Sequence, residues 1–205
     1  MHHIYRTEAV ILSSRPSGES GKYLVMLSKD YGLLKMEAQA VRAKDSKLKH
    51  AIQDYSICDI SFVRGKSGNR LVNARFVHNL YYDLKDEKLL KTLSKIFLLI
   101  EKMIIDEEEN NIVYDLIVGA YTFLKEQFTD KLEKGYSTEF LKAFELALVY
   151  KILTTIGYIS KDVETNFIFE DELDQSLVNK VQEMSTTSHK EVIRLINQAI
   201  RESHL

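Results

Sequence analysis

"KYLVMLSKDYGLLKMEAQA", residues 22–40, decides how the first part of this chain is read. "KYLVMLS" is a short apolar run suited to a buried strand, and "KDYG" turns the chain. In "LLKMEAQA", Leu34, Met36, Ala38 and Ala40 fall on one face and Lys35, Glu37 and Gln39 on the other. That period of two belongs to a half-buried strand. Upstream, "IYRTEAVIL" repeats it, with Tyr5, Thr7, Ala9 and Ile11 alternating with Arg6 and Glu8. Between them "RPSGESG" holds the chain's single proline and two glycines, and reads as a turn or loop. Downstream, "YSICDISFVR" puts Cys58, Ile60 and Phe62 on one face, "GKSGN" signals a hairpin, and "RLVNARFV" aligns Val72, Ala74 and Phe76. Five short strands in about 80 residues, with the longest connection (41–54) between the third and fourth, fit the OB-fold, a small five-stranded barrel.

From residue 83 the period becomes helical. Leu89, Leu93, Ile96, Phe97, Ile100 and Ile104 form a stripe, which "DEEENN" breaks. Val113, Leu116, Ile117, Ala120 and Leu124 mark a second helix. A third spans about 138 to 156 through Leu141, Phe144, Leu148 and Ile152, ending at Gly157. "SHKE" at 188–191 has the capping-box pattern before a last helix lined by Val192, Ile193 and Ile196. The expected architecture is α+β: an N-terminal five-stranded OB-fold barrel over 1–80, followed by an all-helical C-terminal domain over 81–205.

The net charge of −2 conceals an asymmetry. Residues 1–80 carry 13 Lys/Arg against 7 Asp/Glu, a balance of +6, which leaves 15 against 23, or −8, for 81–205. Such a split suggests two modules with different partners, the basic one a candidate for nucleic acid or a membrane surface. No apolar run approaches the ~18 residues of a membrane span, and the N-terminus lacks the apolar region of a secretion signal, so a cytoplasmic protein is expected. One cysteine excludes an intramolecular disulfide and a cysteine-built zinc site.

No catalytic pattern in the sequence is complete. "SGESGKY" at 17–23 suggests a phosphate loop, but Pro16 stands where that motif needs glycine, Tyr23 where it needs Ser or Thr, and a strand follows instead of a helix. His2 and His3 are adjacent at a terminus without supporting ligands. His50, His78, His189 and His204 show no spacing that builds a triad or zinc site. Cys58 reads as a small core residue, and Phe62 and Phe76 as core aromatics. No enzyme site and no cofactor is expected.

The basic residues carry more. "AVRAKDSKLKHA", residues 40–51, holds Arg42, Lys44, Lys47 and Lys49 against Asp45 alone, in the longest connection. The second hairpin adds Arg64, Lys66 and Arg70, and the early loop Arg15 and Lys22. Taken alone, a loop of four bases is more often solvated surface than a grip on a polyanion. Three basic loops on one small barrel favour the grip, because each phosphate neutralised releases counterions without reading sequence.

"GESGKYLVMLSKDYGLLKMEAQAVRAKDSKLKHAIQDY" (18–55) resembles the N-terminal domain of the RecO family of recombination mediators, in Gly18, Glu19, Gly32, Ala38, Arg42, Ser46, Leu48, Gln53 and Tyr55. Ala40 and His50 stand where that family usually has glycines, and Asp54 where proline is common. "FELALVYKILTTIGY" (144–158) is similar to the family's helix ending in Gly-Tyr, with Ser160 in place of its proline. The resemblance implies a non-enzymatic mediator of DNA repair that binds single- and double-stranded DNA through the barrel and promotes annealing. It also implies contact with the acidic tail of single-strand-binding protein and with a RecR-like partner that helps load recombinase. It points to Arg42, Lys44, Lys47 and Lys49 as DNA contacts. Many relatives hold a four-cysteine zinc site after the Gly-Tyr, but "ISKDVETNFIFEDELD" (159–174) has no cysteine. An OB-type RNA-binding or protein-interaction module is the alternative.

Overall fold

A computed structural model describes residues 3–41, 46, 48–66, 68–104, 111–130, 135–160 and 165–203, of which 128–130 without side chains. Five strands come first: β1 (Ile4–Ser17), β2 (Gly21–Ser28), β3 (Gly32–Ala38), β4 (Ser56–Gly65) and β5 (Gly68–Asn79). They hydrogen-bond in the closed order β1-β2-β3-β5-β4, all antiparallel except for a short parallel join of β3 to β5. The architecture expected from the sequence is therefore present: a five-stranded OB-type sheet, then helices.

Inward-facing Ala9, Ile11, Leu24, Met26, Leu34, Met36, Ala38, Cys58, Ile60, Phe62 and Leu71 fill the barrel. β1 can be long because it serves two neighbours. Residues 4–10 pair with β4 and 9–17 with β2, with an irregularity between Ile11 and Ser13. This corrects the reading of "RPSGESG" as a loop, since Arg15, Pro16 and Ser17 are strand residues and only 18–20 turn. Pro16 is tolerated because, past residue 10, the edge of β1 facing β4 has no register partner there. Gly18 takes the left-handed φ of 58° that the turn requires.

Two further corrections concern apolar faces. Phe76, expected in the core, is 46% exposed, as is Val72. β5 carries an extra residue opposite β4 at Val72 and another at Val77, so the alternation slips twice. Ala40, expected to share the buried face of β3, is an exposed turn residue with φ 53°.

Contacts divide the chain into two units, Met1–Lys85 with Ile104–Tyr114, and Asp86–Met103 with Asp115–Leu205. The first contains the barrel and α1 (Leu80–Leu84), whose N-cap Asn79 accepts from the amides of Tyr81 and Tyr82. The second is helical: α2 (Glu87–Met103), most of α3 (Asn111–Asp130), α4 (Thr138–Thr155), α5 (Asn166–Glu170), α6 (Gln175–Glu183) and α7 (Thr186–Glu202). Helix α4, buried on nearly every side, packs against α2, α5, α6 and α7. Its Lys151 is a buried ammonium that donates to the carbonyls of Phe169 (2.8 Å) and Asp171 (2.5 Å). Burial pushes that lysine below its ordinary value, with the nearby Asp171 acting in the opposite sense.

The helical stripe of α2 is as expected, except that Ile104 is buried just past the helix end. α6, which the sequence reading missed, starts at Asp174, whose carboxylate accepts from Leu177 N at 2.8 Å, and buries Leu177, Val178 and Val181. α7 begins earlier than "SHKE" suggested. Its cap is Ser185, to which Ser188 N donates at 3.1 Å, and Ile193 stays 39% exposed. Residues 105–110, which include most of "DEEENN", lie outside the described residues.

Candidate nucleic-acid interface

Strand register, not chain order, assembles the basic surface. Arg15 on β1 is paired with Tyr23 on β2, Tyr23 with Glu37 on β3, and Glu37 with Arg70 on β5. Arg15, Glu37 and Arg70 are exposed and Tyr23 is half-buried, so the four form one row across the outer surface. At about 4.8 Å per strand, Arg15 and Arg70 stand at most roughly 14 Å apart along that row. Residues 55 apart in sequence thus serve one face. Lys35, two residues before Glu37, is exposed on the same side of β3 and adds a base that the sequence reading passed over.

The side chains are held in specific ways. The Arg15 guanidinium lies 4.7 Å over the Tyr23 ring. Lys22, in strand and paired with Pro16, donates to Ser14 Oγ at 3.1 Å. Glu37 accepts from Ser17 Oγ at 3.4 Å. Arg64 is the penultimate residue of β4, and its guanidinium sits 4.9 Å over Tyr5 and 5.7 Å over Tyr31. Lys66 is exposed in the β4–β5 turn, beside Gly65 and Gly68.

The connection from β3 to β4 is anchored at both ends. Val41, Ala51 and Ile52 are buried in the barrel core and Leu48 packs against it. One helical turn holds the second anchor, with Ala51 N and Ile52 N both donating to Leu48 O, at 3.0 and 3.1 Å. Lys49 and His50 stay exposed on it. Arg42, Lys44 and Lys47 lie outside the described residues. The sequence reading weighed this stretch by its charge and its resemblance and did not see that Val41, Leu48 and Ile52 would be drawn to the barrel core.

A second concavity lies on the β1–β4–β5 side of the barrel, lined by Arg6, Lys29 and Arg75 against Glu8, Asp30 and Asp59, with Ser61 and Asn73. Its acids are engaged: Asp59 pairs with Arg75, Asp30 accepts from Thr7 Oγ1 at 2.7 Å, and Glu8 accepts from Tyr114 at 3.4 Å. Three bases against three acids give it no net pull on a polyanion, whereas Arg15 and Arg70 in the cross-strand row, with Lys35 beside it, outnumber Glu37 three to one.

The remaining candidates are structural. Cys58 is buried with Sγ 3.8 Å from Ala9 O, and burial first, then the Asp59 charge, push its thiol up to about 12. His78 faces Asp83 at 3.5 Å. His3 is exposed and meets the Tyr5 ring edge-on at 4.6 Å. Among the described residues, no helix is long and apolar enough to cross a membrane.

The sequence of this chain is similar to those of known proteins. Residues 1–80 fit the family described as "Recombination protein O N terminal". The chain is similar to the DNA repair protein RecO of Cutibacterium acnes, 24% identical over 62% of this chain and 52% of that protein. The RecO of Alkaliphilus metalliredigens is 26% identical over 71% and 57%, and that of Synechococcus elongatus 37% identical over 35% and 27%. The chain spans about half the length of the curated relatives it matches. The five-stranded barrel over residues 1–80 thus matches the N-terminal domain of the RecO family, and the chain is similar to RecO proteins beyond it.

Proposed function

We propose that this chain is a DNA-binding recombination mediator that works in DNA repair without catalysing a reaction. The N-terminal barrel (1–80) grips the phosphate backbone of single- and double-stranded DNA, promoting annealing and recombinase loading. The helical part (81–205) supplies protein contacts, with the tail of single-strand-binding protein and a RecR-like subunit as partners in the cytoplasm. The observation that carries the reading is the cross-strand row of Arg15, Tyr23, Glu37 and Arg70, with the further bases Lys22, Lys35, Arg64 and Lys66 outnumbering that one acid, on a barrel whose residues match the RecO N-terminal family. Arg42, Lys44, Lys47 and Lys49 extend the grip along the anchored connection.

A titration of labelled single-stranded DNA at increasing salt tests it. Affinity should fall steeply with salt, and alanine at Arg15, Lys22, Arg64, Lys66 and Arg70 together should weaken binding for all sequences alike and flatten the salt slope. Absence of binding at low salt, or affinity indifferent to salt, sinks the proposal. The balanced groove of Arg6, Lys29, Arg75, Glu8, Asp30 and Asp59 favours a second reading, a protein-interaction module on the same scaffold. Competition among single-stranded DNA, duplex and RNA separates the readings, because a protein-only module binds none of them.

A further inference from the structure

Two arginines of the basic surface do more than carry charge. Arg15 and Arg64 are exposed, and each guanidinium is laid over tyrosine, Arg15 on Tyr23 and Arg64 on both Tyr5 and Tyr31. The second platform is backed by the core. Tyr5 stacks on fully buried Phe62 with centroids 5.3 Å apart and planes inclined 23°. Tyr31 abuts both rings edge-on, at 5.7 Å from Tyr5 and 5.5 Å from Phe62. Rings so wedged fix where the guanidinium can rest and lower the entropy lost when it binds. A phosphate grip needs no such platform, because a lysine on a free stem answers a point charge equally well.

We infer that Arg15 on Tyr23 and Arg64 on Tyr5 and Tyr31 are stacking sites for unpaired nucleobases, which make this barrel select single strands over duplex. The inference rests on the nucleic-acid reading proposed above and adds the part of the ligand that these residues meet. The inner face of each guanidinium is occupied by tyrosine, and at 4.7–4.9 Å no base fits between them. The base stacks on the outer face, as unpaired bases do on planar arginine groups. Every base has a π-face, so the preference is for strandedness and not for sequence. In a duplex the base faces are already stacked on one another. Lys22, Lys35, Lys66 and Arg70 serve both forms by charge.

The test separates planarity from charge. Arg64→Lys and Arg15→Lys keep the positive charge and remove the planar group; both positions are exposed strand residues, so folding is not at stake. Binding is measured for wild type and each variant with an unstructured mixed-sequence DNA strand, an abasic strand of equal length, and a duplex. The wild type should favour the base-bearing strand over the abasic one, and each substitution should shrink that ratio by about fivefold, the lower end of a stacked base's contribution. A ratio unchanged in both variants, or a wild type that binds abasic and base-bearing strands alike, overturns the stacking sites and leaves the phosphate grip standing. A wild type that binds none of the three at low salt removes the nucleic-acid reading itself, and this inference with it.

Discussion

Ala40 and Cys58 show how one residue's surroundings decide its energetic sign. Ala40 ends the outward turn after β3 at φ 53°, in the left-handed region. A side chain there costs about 1–2 kcal/mol, while glycine returns about 0.5–1 kcal/mol in lost backbone freedom. Ala40→Gly should therefore stabilise the protein by about 0.5–1 kcal/mol, seen as a higher denaturant midpoint; a lower midpoint would contradict the strain. Cys58 is a neutral thiol kept protonated by burial, raised from 9.0 to about 12. The folded state thus retains a proton that the unfolded chain releases, so the associated stability is complete below about pH 9 and is lost as pH rises toward 12. Cys58→Ala should lose less stability than wild type between about pH 8 and about pH 10, measured by denaturation midpoints. The same thiol should resist thiol reagents until the barrel opens.

At the scale of elements, the β3–β4 connection matters most. It is a charged stretch pinned by apolar ends, Val41 on one side and Leu48, Ala51 and Ile52 on the other. Ile52 is fully buried, and Ile52→Ala should cost about 2–4 kcal/mol by thermal or chemical denaturation, through lost burial and the cavity left behind. A cost below about 0.5 kcal/mol would mean that the connection does not close the core. Strand irregularities act at this scale too. The extra residues of β5 turn Val72 and Phe76 outward, although the sequence period of two had grouped Phe76 with the core.

For the whole molecule, charge distribution outweighs charge total. A chain of net −2 would on average repel DNA, so the proposed binding requires a local field, with the +6 of residues 1–80 set against the −8 of 81–205. About five phosphate contacts on a single strand imply a log–log salt slope of about −3.5, or roughly a hundredfold loss of affinity between about 50 and 200 mM salt. A loss of only a few fold would mean that the basic face reaches one or two phosphates. The helical unit rests on different means, a nearly fully buried α4 and the Lys151 ammonium that satisfies the carbonyls of Phe169 and Asp171.

What the sequence determined by itself was local: five strands by their period of two, the main helices by their stripes, the acidic and basic halves, and the likeness of 18–55 to RecO. Side chains alternate within one strand whatever its partner, so these features are legible without tertiary information. Short α6 escaped because its few apolar residues make less than three turns of pattern. Only the tertiary structure decided which distant residues share a face. The β3–β5 join brings Arg70 beside Glu37, and thereby into line with Arg15, while β4, β1 and the β2–β3 turn converge to seat Arg64 on Tyr5 and Tyr31. Register between strands is a non-local quantity, set by the closed barrel's hydrogen bonds and bulges, and no spacing along the chain encodes it.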